Sequence, residues 1–377
     1  MYLWGSNAEM GFAHGQLMGR QIVRLINDYL IKEASKGKYE EYYDNVNTTF
    51  SWPPGYDQEL QGIIDGMDAD GVDRWLEAAG RELDATDLKV WNTFGDWMGP
   101  AGQEFGCWRV SSEGGFPLAA RNFYMYPDAQ ALGLYMWALV VYNDTNTGAQ
   151  FLSVAPPGFI GVLTGASAKD VAVFANGVQD NEAQGGATGG APMALLLREF
   201  LATTGPGSSD PDVHLLDMVS NNTNFGVWNL FGTTLNRGEE LPGRGYSWVV
   251  ECDSVGAVLR HASDNNPPPP HPPDALFAAN GFRRLHYPPP NGPPNDAEYN
   301  QLVNTFKDYY DSGNNPIGID DAMGILETVN GFDNACSVIF GYGPEGKLVL
   351  AFAVSDGVTP AAETWDYTKF RLHDFWQ

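Results

Sequence analysis

The chain has 377 residues, with 21 Lys and Arg against 47 Asp and Glu, for a net charge of −26. That balance argues against a nucleic-acid partner, because phosphate backbones are held by Lys and Arg, and against docking on an anionic membrane face. Hydrophobic residues at 43% suffice for a large core, so the chain reads as one large domain or two ordinary ones.

No apolar run reaches the ~18 residues of a membrane span. Met1 to Met10 lacks a basic region followed by an apolar run, so no signal peptide is read. Residues 11 to 33 place Phe12, Leu17, Ile22, Leu25 and Leu30 at helical spacing. Further helices are predicted at 56–70, 73–84 and 86–98. After Gly99-Pro100 the pattern changes to strands at Cys107–Ser111, Phe116–Arg121, Leu134–Tyr142, Phe151–Val154, Phe159–Leu163 and Val171–Ala175, punctuated by Gly, Pro and Asn. A helix follows at 192–203, opened by Pro192, then strands at 225–233 and 246–260. Residues 264–295 are rich in proline and read as an extended surface excursion. Helices at 296–312 and 318–329 and strands at 336–342 and 347–354 complete the chain. Helices, many strands, helices, strands is an α+β order rather than a βαβ alternation.

Three cysteines, Cys107, Cys252 and Cys336, make no disulfide framework, and there is no CxxC pair. The six histidines are scattered, with no HExxH. No metal or organic cofactor is implied. Sequons at Asn47, Asn143 and Asn221, with the acidic composition, suit a secreted or vesicular setting.

The segment with chemistry is Phe105-Gly106-Cys107-Trp108-Arg109-Val110, followed by Leu118-Ala119-Ala120-Arg121-Asn122-Phe123. It reads as a hairpin around Glu113-Gly114-Gly115, with Cys107 opening one strand and Arg121 near the end of the other. A guanidinium near a thiol favours the nucleophilic thiolate. A lone strand cysteine is, by itself, more often a small core residue.

At this point the chain resembles the isopenicillin-N acyltransferase-like family of N-terminal-nucleophile (Ntn) hydrolases. The resemblance runs in order along nearly the whole chain. Gly11-Phe12-Ala13-His14-Gly15-Gln16-Leu17-Met18-Gly19 is similar to the family's first helix, Gly106-Cys107 to its self-cleavage junction, and Arg121-Asn122 to its Arg-Asn pair. Gly158 through Asn176, Gly190-Ala191-Pro192 through Arg198, and Val227-Trp228-Asn229-Leu230 with Val249-Val250-Glu251 resemble later segments of the family.

The resemblance implies a four-layer αββα Ntn-hydrolase sandwich. Residues 1–106 would be a helical N-terminal segment and 107–377 the core, held together non-covalently after the precursor cuts itself between Gly106 and Cys107. A freed α-amino group titrates near ~7.7–8.0 and serves as general base at neutral pH. The Cys107 thiolate then forms a thioester with the acyl group of a small acylated amine or acyl thioester, resolved by water or by an amine. By resemblance Asn229 donates to the oxyanion, with Asn224 in reserve, and Arg121 holds the Cys107 environment. Asn176 lines the acyl pocket, with Tyr124, Trp108 and Asn122 nearby.

Four departures stand out. Trp108 occupies the place of the family's Thr or Ser, Tyr124 that of an Asp, Ser167 that of an Asn, and Glu298 that of an Arg. Asp128 is a candidate substitute for the missing carboxylate, and Arg283 or Arg284 for the missing arginine. The alternatives are a lipid amidase or phospholipase-B-like member of the superfamily, and a catalytically silent binding protein that keeps the fold.

Overall fold

The computed structural model describes residues 1–99, 101–108, 110–111, 114–124, 137–178, 185–204, 210–236, 245–264, 272, 274–279, 281–282, 285, 297–312, 317–329, 334–343, 345–355, 361–364 and 367–376. In chain order the main elements are β1 (Tyr2–Gly5), α1 (Asn7–Arg24), α2 (Tyr39–Thr49), α3 (Pro54–Ala69), α4 (Ala85–Asn92), α5 (Phe94–Met98), β2 (Ala101–Cys107), β3 (Leu118–Tyr124), β4 (Ala138–Asp144), β5 (Gln150–Ala155), β6 (Thr164–Ser167) and β7 (Val171–Gly177). Then come α6 (Met193–Thr203), α7 (Pro211–Ser220), β8 (Trp228–Thr234), β9 (Ser247–Cys252), β10 (Ala257–His261), β11 (Ala275–Ala278), α8 (Ala297–Asp311), α9 (Ile319–Thr328), β12 (Asn334–Tyr342), β13 (Leu348–Val354) and β14 (Thr368–Arg371).

The strands form two large sheets. One runs β1-β4-β5-β6-β7-β8-β9-β10, the other β11-β2-β3-β12-β13-β14. They face each other closely: a Cβ on Gly106 of β2 would lie 2.3 Å from Ser247 Oγ of β9 and 2.7 Å from Phe231 of β8. Phe174 of β7 and Phe340 of β12 stack across the seam at 5.9 Å. Helices α8 and α9 cover the outer face of the six-stranded sheet, where Phe306 meets Phe105 at 5.4 Å and Phe277 at 5.1 Å. Helices α6 and α7 pack on the other sheet. The layers are therefore α, β, β, α, the α+β sandwich expected from the sequence. Among the described residues no helix is long and apolar enough to cross a membrane.

The N-terminal residues are woven into this sandwich. Helix α1 is opened by Ser6, whose hydroxyl accepts from the Glu9 amide while Glu9 returns to the Ser6 amide, a reciprocal cap. It continues in a wider turn over Leu25–Ala34. Helices α1 and α3 pack with almost no gap: a Cβ on Gly11 or Gly15 would fall 2.0 Å from the carbonyl oxygens of Glu59 and Ile63. Strand β1 edges the eight-stranded sheet and β2 sits inside the six-stranded one, so residues 1–106 supply a strand to each sheet as well as helices.

Three expectations are corrected. Residues 73–84 form no helix but a small ribbon, Trp75–Leu76 against Arg81–Glu82, turned at Gly80 with φ +68°. Phe159–Leu163 is not a strand; the strand begins at Thr164. The expected hairpin is displaced: β2 starts at Ala101 and ends at Cys107. Gln103 and Glu104 lie on this strand and are both buried, with Tyr124, Arg121 and Asn176 as polar partners.

Candidate active site

Strand pairing decides what can meet Cys107. On β2 and β3 the opposed pairs are Cys107 with Leu118, Phe105 with Ala120, and Glu104 with Arg121. Opposed residues share a face and successive residues alternate. Gln103, Phe105 and Cys107 therefore point outward to α8 and α9, whereas Gly102, Glu104, Gly106 and Arg121 point inward to the other sheet. The packing agrees, since Cys107 joins Phe105, Leu118, Phe306 and Ile339 in the outer apolar cluster.

Arg121 thus does not reach the Cys107 thiol, which corrects the expected pairing. Its guanidinium is fully buried in the seam between sheets. It donates to the Leu163 carbonyl (2.7 Å), Thr164 Oγ1 (2.7 Å), the Ala175 carbonyl (2.8 Å) and Asn176 Oδ1 (2.9 Å). Glu104 Oε1 lies 3.4 Å away, and Asn176 Nδ2 donates to Glu104 Oε2 at 2.5 Å. Burial pushes the Glu104 carboxyl up to about 8 against the pull of Arg121. This cluster ties one sheet to the other.

Asn229 lies directly opposite Asn176 on the neighbouring strand. Its amide nitrogen donates to the Ala279 (2.7 Å) and Gly281 (3.0 Å) carbonyls, so both N–H groups are spent in this state of the chain. Asn224 closes the end of α7 by donating to the Val219 and Asp253 carbonyls. Asn122 is outward-facing, donating to the Leu326 carbonyl (2.8 Å) and accepting from Ser337 Oγ (2.6 Å). Tyr124 donates to Gln103 Oε1 at 2.9 Å, with the Val329 carbonyl at 3.1 Å. Glu298 is exposed at the start of α8. Asp128, Arg283 and Arg284 lie outside the described residues.

Cys107 borders a cavity of about 130 Å³, walled by Phe116, Leu118, Phe306 and Ile317 and by two polar groups, Asp274 and Tyr310. Trp108 also lines it and donates its amide to the Asp274 carbonyl at 3.0 Å. Its ring fills the space beside Gly245, where a Cβ would be 2.2 Å from the indole and φ is +81°, so only glycine is accommodated there. Asp274 is half-buried and its carboxyl is raised, chiefly by burial, while the Tyr310 hydroxyl hydrogen-bonds to it. One of its oxygens, Oδ1, has no hydrogen-bond partner among the described residues. Burial and the nearby Asp274 and Asp321 carboxylates push the Cys107 thiol well up, so in the uncut chain it is a protonated thiol. Cys252 and Cys336 are fully buried, and burial pushes Cys336 up to about 12.

Asp274 and Tyr310 were not anticipated from the sequence. Asp274 sits inside the proline-rich excursion, directly before Ala275-Leu276-Phe277-Ala278. That short apolar run was the available signal: it is β11, which pairs with β2 and sets Ala275 opposite Cys107.

No protein-family model matches the chain. An uncharacterized protein of Archaeoglobus fulgidus is 26% identical over 205 residues, covering 46% of this chain and 32% of that protein, so the match spans about a third of the relative's length. Among solved structures, a Caenorhabditis elegans ortholog of N-acylethanolamine-hydrolyzing acid amidase is similar over 72% of this chain and 99% of its own, at 13% identity and a TM-score of 0.44. The conjugated bile acid hydrolase of Clostridium perfringens, in two variant forms, is similar over 72% of this chain and 93% of its own, at 12% identity and TM-scores of 0.40 and 0.39. Nothing in these comparisons is specific to the isopenicillin-N acyltransferase-like family.

Proposed function

We propose that the protein is a self-processing cysteine hydrolase of amide bonds, with Cys107 as its nucleophile. The observation that carries this reading is the placement of Cys107: it ends a strand on the wall of a cavity that also holds a carboxylate and a phenol. In maturation the Cys107 sulfur attacks the Gly106 carbonyl carbon, the Gly106–Cys107 C–N bond breaks, and water cleaves the resulting ester-like link. The products are a Gly106 carboxylate and a free Cys107 amine. That amine then takes the thiol proton, overcoming the burial that holds the thiol protonated in the uncut chain.

In turnover the thiolate bonds to the acyl carbon of the substrate. The amide C–N bond breaks, the amine leaves with the proton, and water releases the acid. An amine in place of water gives acyl transfer. Arg121 and Asn176 act as positioning residues that hold β2 against the opposite sheet, touching no substrate. Asn229 becomes an oxyanion donor only if the cut frees it from the Ala279 and Gly281 carbonyls.

A second reading, a silent binding protein, is favoured by the opposite facing of Cys107 and Arg121. The intact mass of wild type and Cys107→Ala separates the two. Pieces of 106 and 377 − 106 = 271 residues in the wild type, and one piece in the variant, support the hydrolase. One uncut chain in both supports the silent protein.

A further inference from the structure

A cut between Gly106 and Cys107 needs a base that Cys107 does not supply while the chain is whole. Its nitrogen is then an amide, which donates a hydrogen bond and takes no proton at neutral pH. Its thiol is held protonated by burial and by nearby carboxylates, and a protonated thiol is a poor nucleophile. The base must be another group on the same cavity wall.

Among the described residues, three titratable side chains besides Cys107 line that wall: Tyr310, Tyr342 and Asp274. The Tyr342 hydroxyl donates to the Leu235 carbonyl at 2.6 Å. The Tyr310 hydroxyl hydrogen-bonds to Asp274. Both phenols are thus engaged as donors. Asp274 differs, because its Oδ1 is buried and has no hydrogen-bond partner among the described residues. Asp321 also acts on the thiol by its charge, but it lies outside the cavity's described lining, and its Oδ2 accepts from the Gly318 amide at 2.9 Å to cap α9.

The backbone explains how Asp274 comes to the Cys107 side. Ala275 opens β11 opposite Cys107, and strict alternation would turn the preceding side chain to the inner face. Asp274 escapes this rule because it lies before the strand, in a turn closed by the Ala275 amide on the Pro272 carbonyl at 3.2 Å. Its partner Tyr310 stands near the end of α8 and packs on the outer apolar cluster. The Trp108 amide meets the Asp274 carbonyl at 3.0 Å, tying its backbone to the residue after Cys107. Burial also raises the carboxyl, which makes it a stronger base toward a thiol.

We propose that Asp274 is the general base of self-cleavage, a role that rests on the hydrolase reading of Cys107. Its Oδ1 takes the thiol proton as the sulfur bonds to the Gly106 carbonyl carbon. The proton passes to the Cys107 nitrogen as the Gly106–Cys107 C–N bond breaks, leaving a thioester and a free amine. Water adds to the thioester, the C–S bond breaks, and the products are the Gly106 acid and the Cys107 thiol.

For the test, full-length chains are made by cell-free translation and the two pieces are followed over time by mass spectrometry. Asp274→Asn keeps the shape of the side chain, and thermal unfolding checks that it is folded. It should cut about a hundredfold more slowly than wild type, the order of a general base's contribution. Asp274→Ala should be equally slow, and added sodium formate should speed it about tenfold by restoring a carboxylate base. Formate should leave Asp274→Asn unchanged, since the amide still fills the place. Cutting of Asp274→Asn at the wild-type rate overturns the inference and leaves the hydrolase reading intact. Slow Asp274→Ala that formate does not speed makes Asp274 a structural residue and overturns it as well. A wild type that stays uncut removes the hydrolase reading and this inference together.

Discussion

The two faces of β2 carry opposite kinds of residue. Inward, Gly102, Glu104 and Gly106 meet the other sheet at contact distance. Outward, Gln103, Phe105 and Cys107 meet helices and, at Cys107, a cavity. The inner face is polar but sealed: the terminal guanidinium nitrogens of Arg121 and the amide of Asn176 bond to carbonyls and side chains of the seam, while Arg121 Nε has no partner among the described residues. The outer face is apolar around Phe105 and Cys107 and open at the Cys107 end. Buried charge here fastens layers, and room for chemistry lies where charge is sparse. A polar cluster with an arginine is therefore a poor guide to an active site when strand alternation turns it into the seam.

The largest expected effect comes from breaking the inner cluster. Arg121→Ala should destabilise the fold by about 3–5 kcal/mol, because it leaves the Leu163 and Ala175 carbonyls, Thr164 Oγ1 and Asn176 Oδ1 buried without their donor, measured by denaturant unfolding. If Arg121 only assisted Cys107, stability would hardly change. Next comes Gly106→Ala, whose new methyl meets Ser247 and Phe231; overpacking of this kind costs about 1–3 kcal/mol. A stable Gly106→Ala protein that fails to self-cleave would move the role of this glycine from packing to the junction.

A smaller effect is a pH dependence. The folded Glu104 carboxyl is raised to about 8 from an ordinary 4.5, so the folded state binds the extra proton. This contribution is complete below about 4.5 and is lost as pH rises through about 8. Stability should fall over that window, and Glu104→Gln should flatten the fall. The smallest effect on stability is Cys107→Ala, about 1 kcal/mol or less for so small a side chain, yet it should abolish both processing and turnover.

Much of the fold was legible because periodicity survives context. The helices at Pro54–Ala69, Met193–Thr203 and Ala297–Asp311 fall within a few residues of their apolar patterns. The start of β2 was not legible. Ala101-Gly102-Gln103-Glu104 has the composition of a loop, and its burial depends on Arg121 and Asn176, many residues away. That same misplacement of β2 put Cys107 at the start of a strand and on the face of Arg121. Gly106 stood out as a glycine before a cysteine, but its contact with Ser247 is a property of two sheets and of no local pattern. Asp274 was hidden by the prolines around it.

Which cysteine reacts is the most direct test of the claim that chemistry sits on the outer face of β2. Wild-type protein is treated with iodoacetamide at neutral pH and the adducts are mapped by mass spectrometry over time. The account predicts fast labelling of Cys107 in cut protein, slow labelling in uncut protein, and none at Cys252 or Cys336 until denaturant is added. Equal labelling of all three thiols, or an inert Cys107 in protein already cut before it, would contradict it.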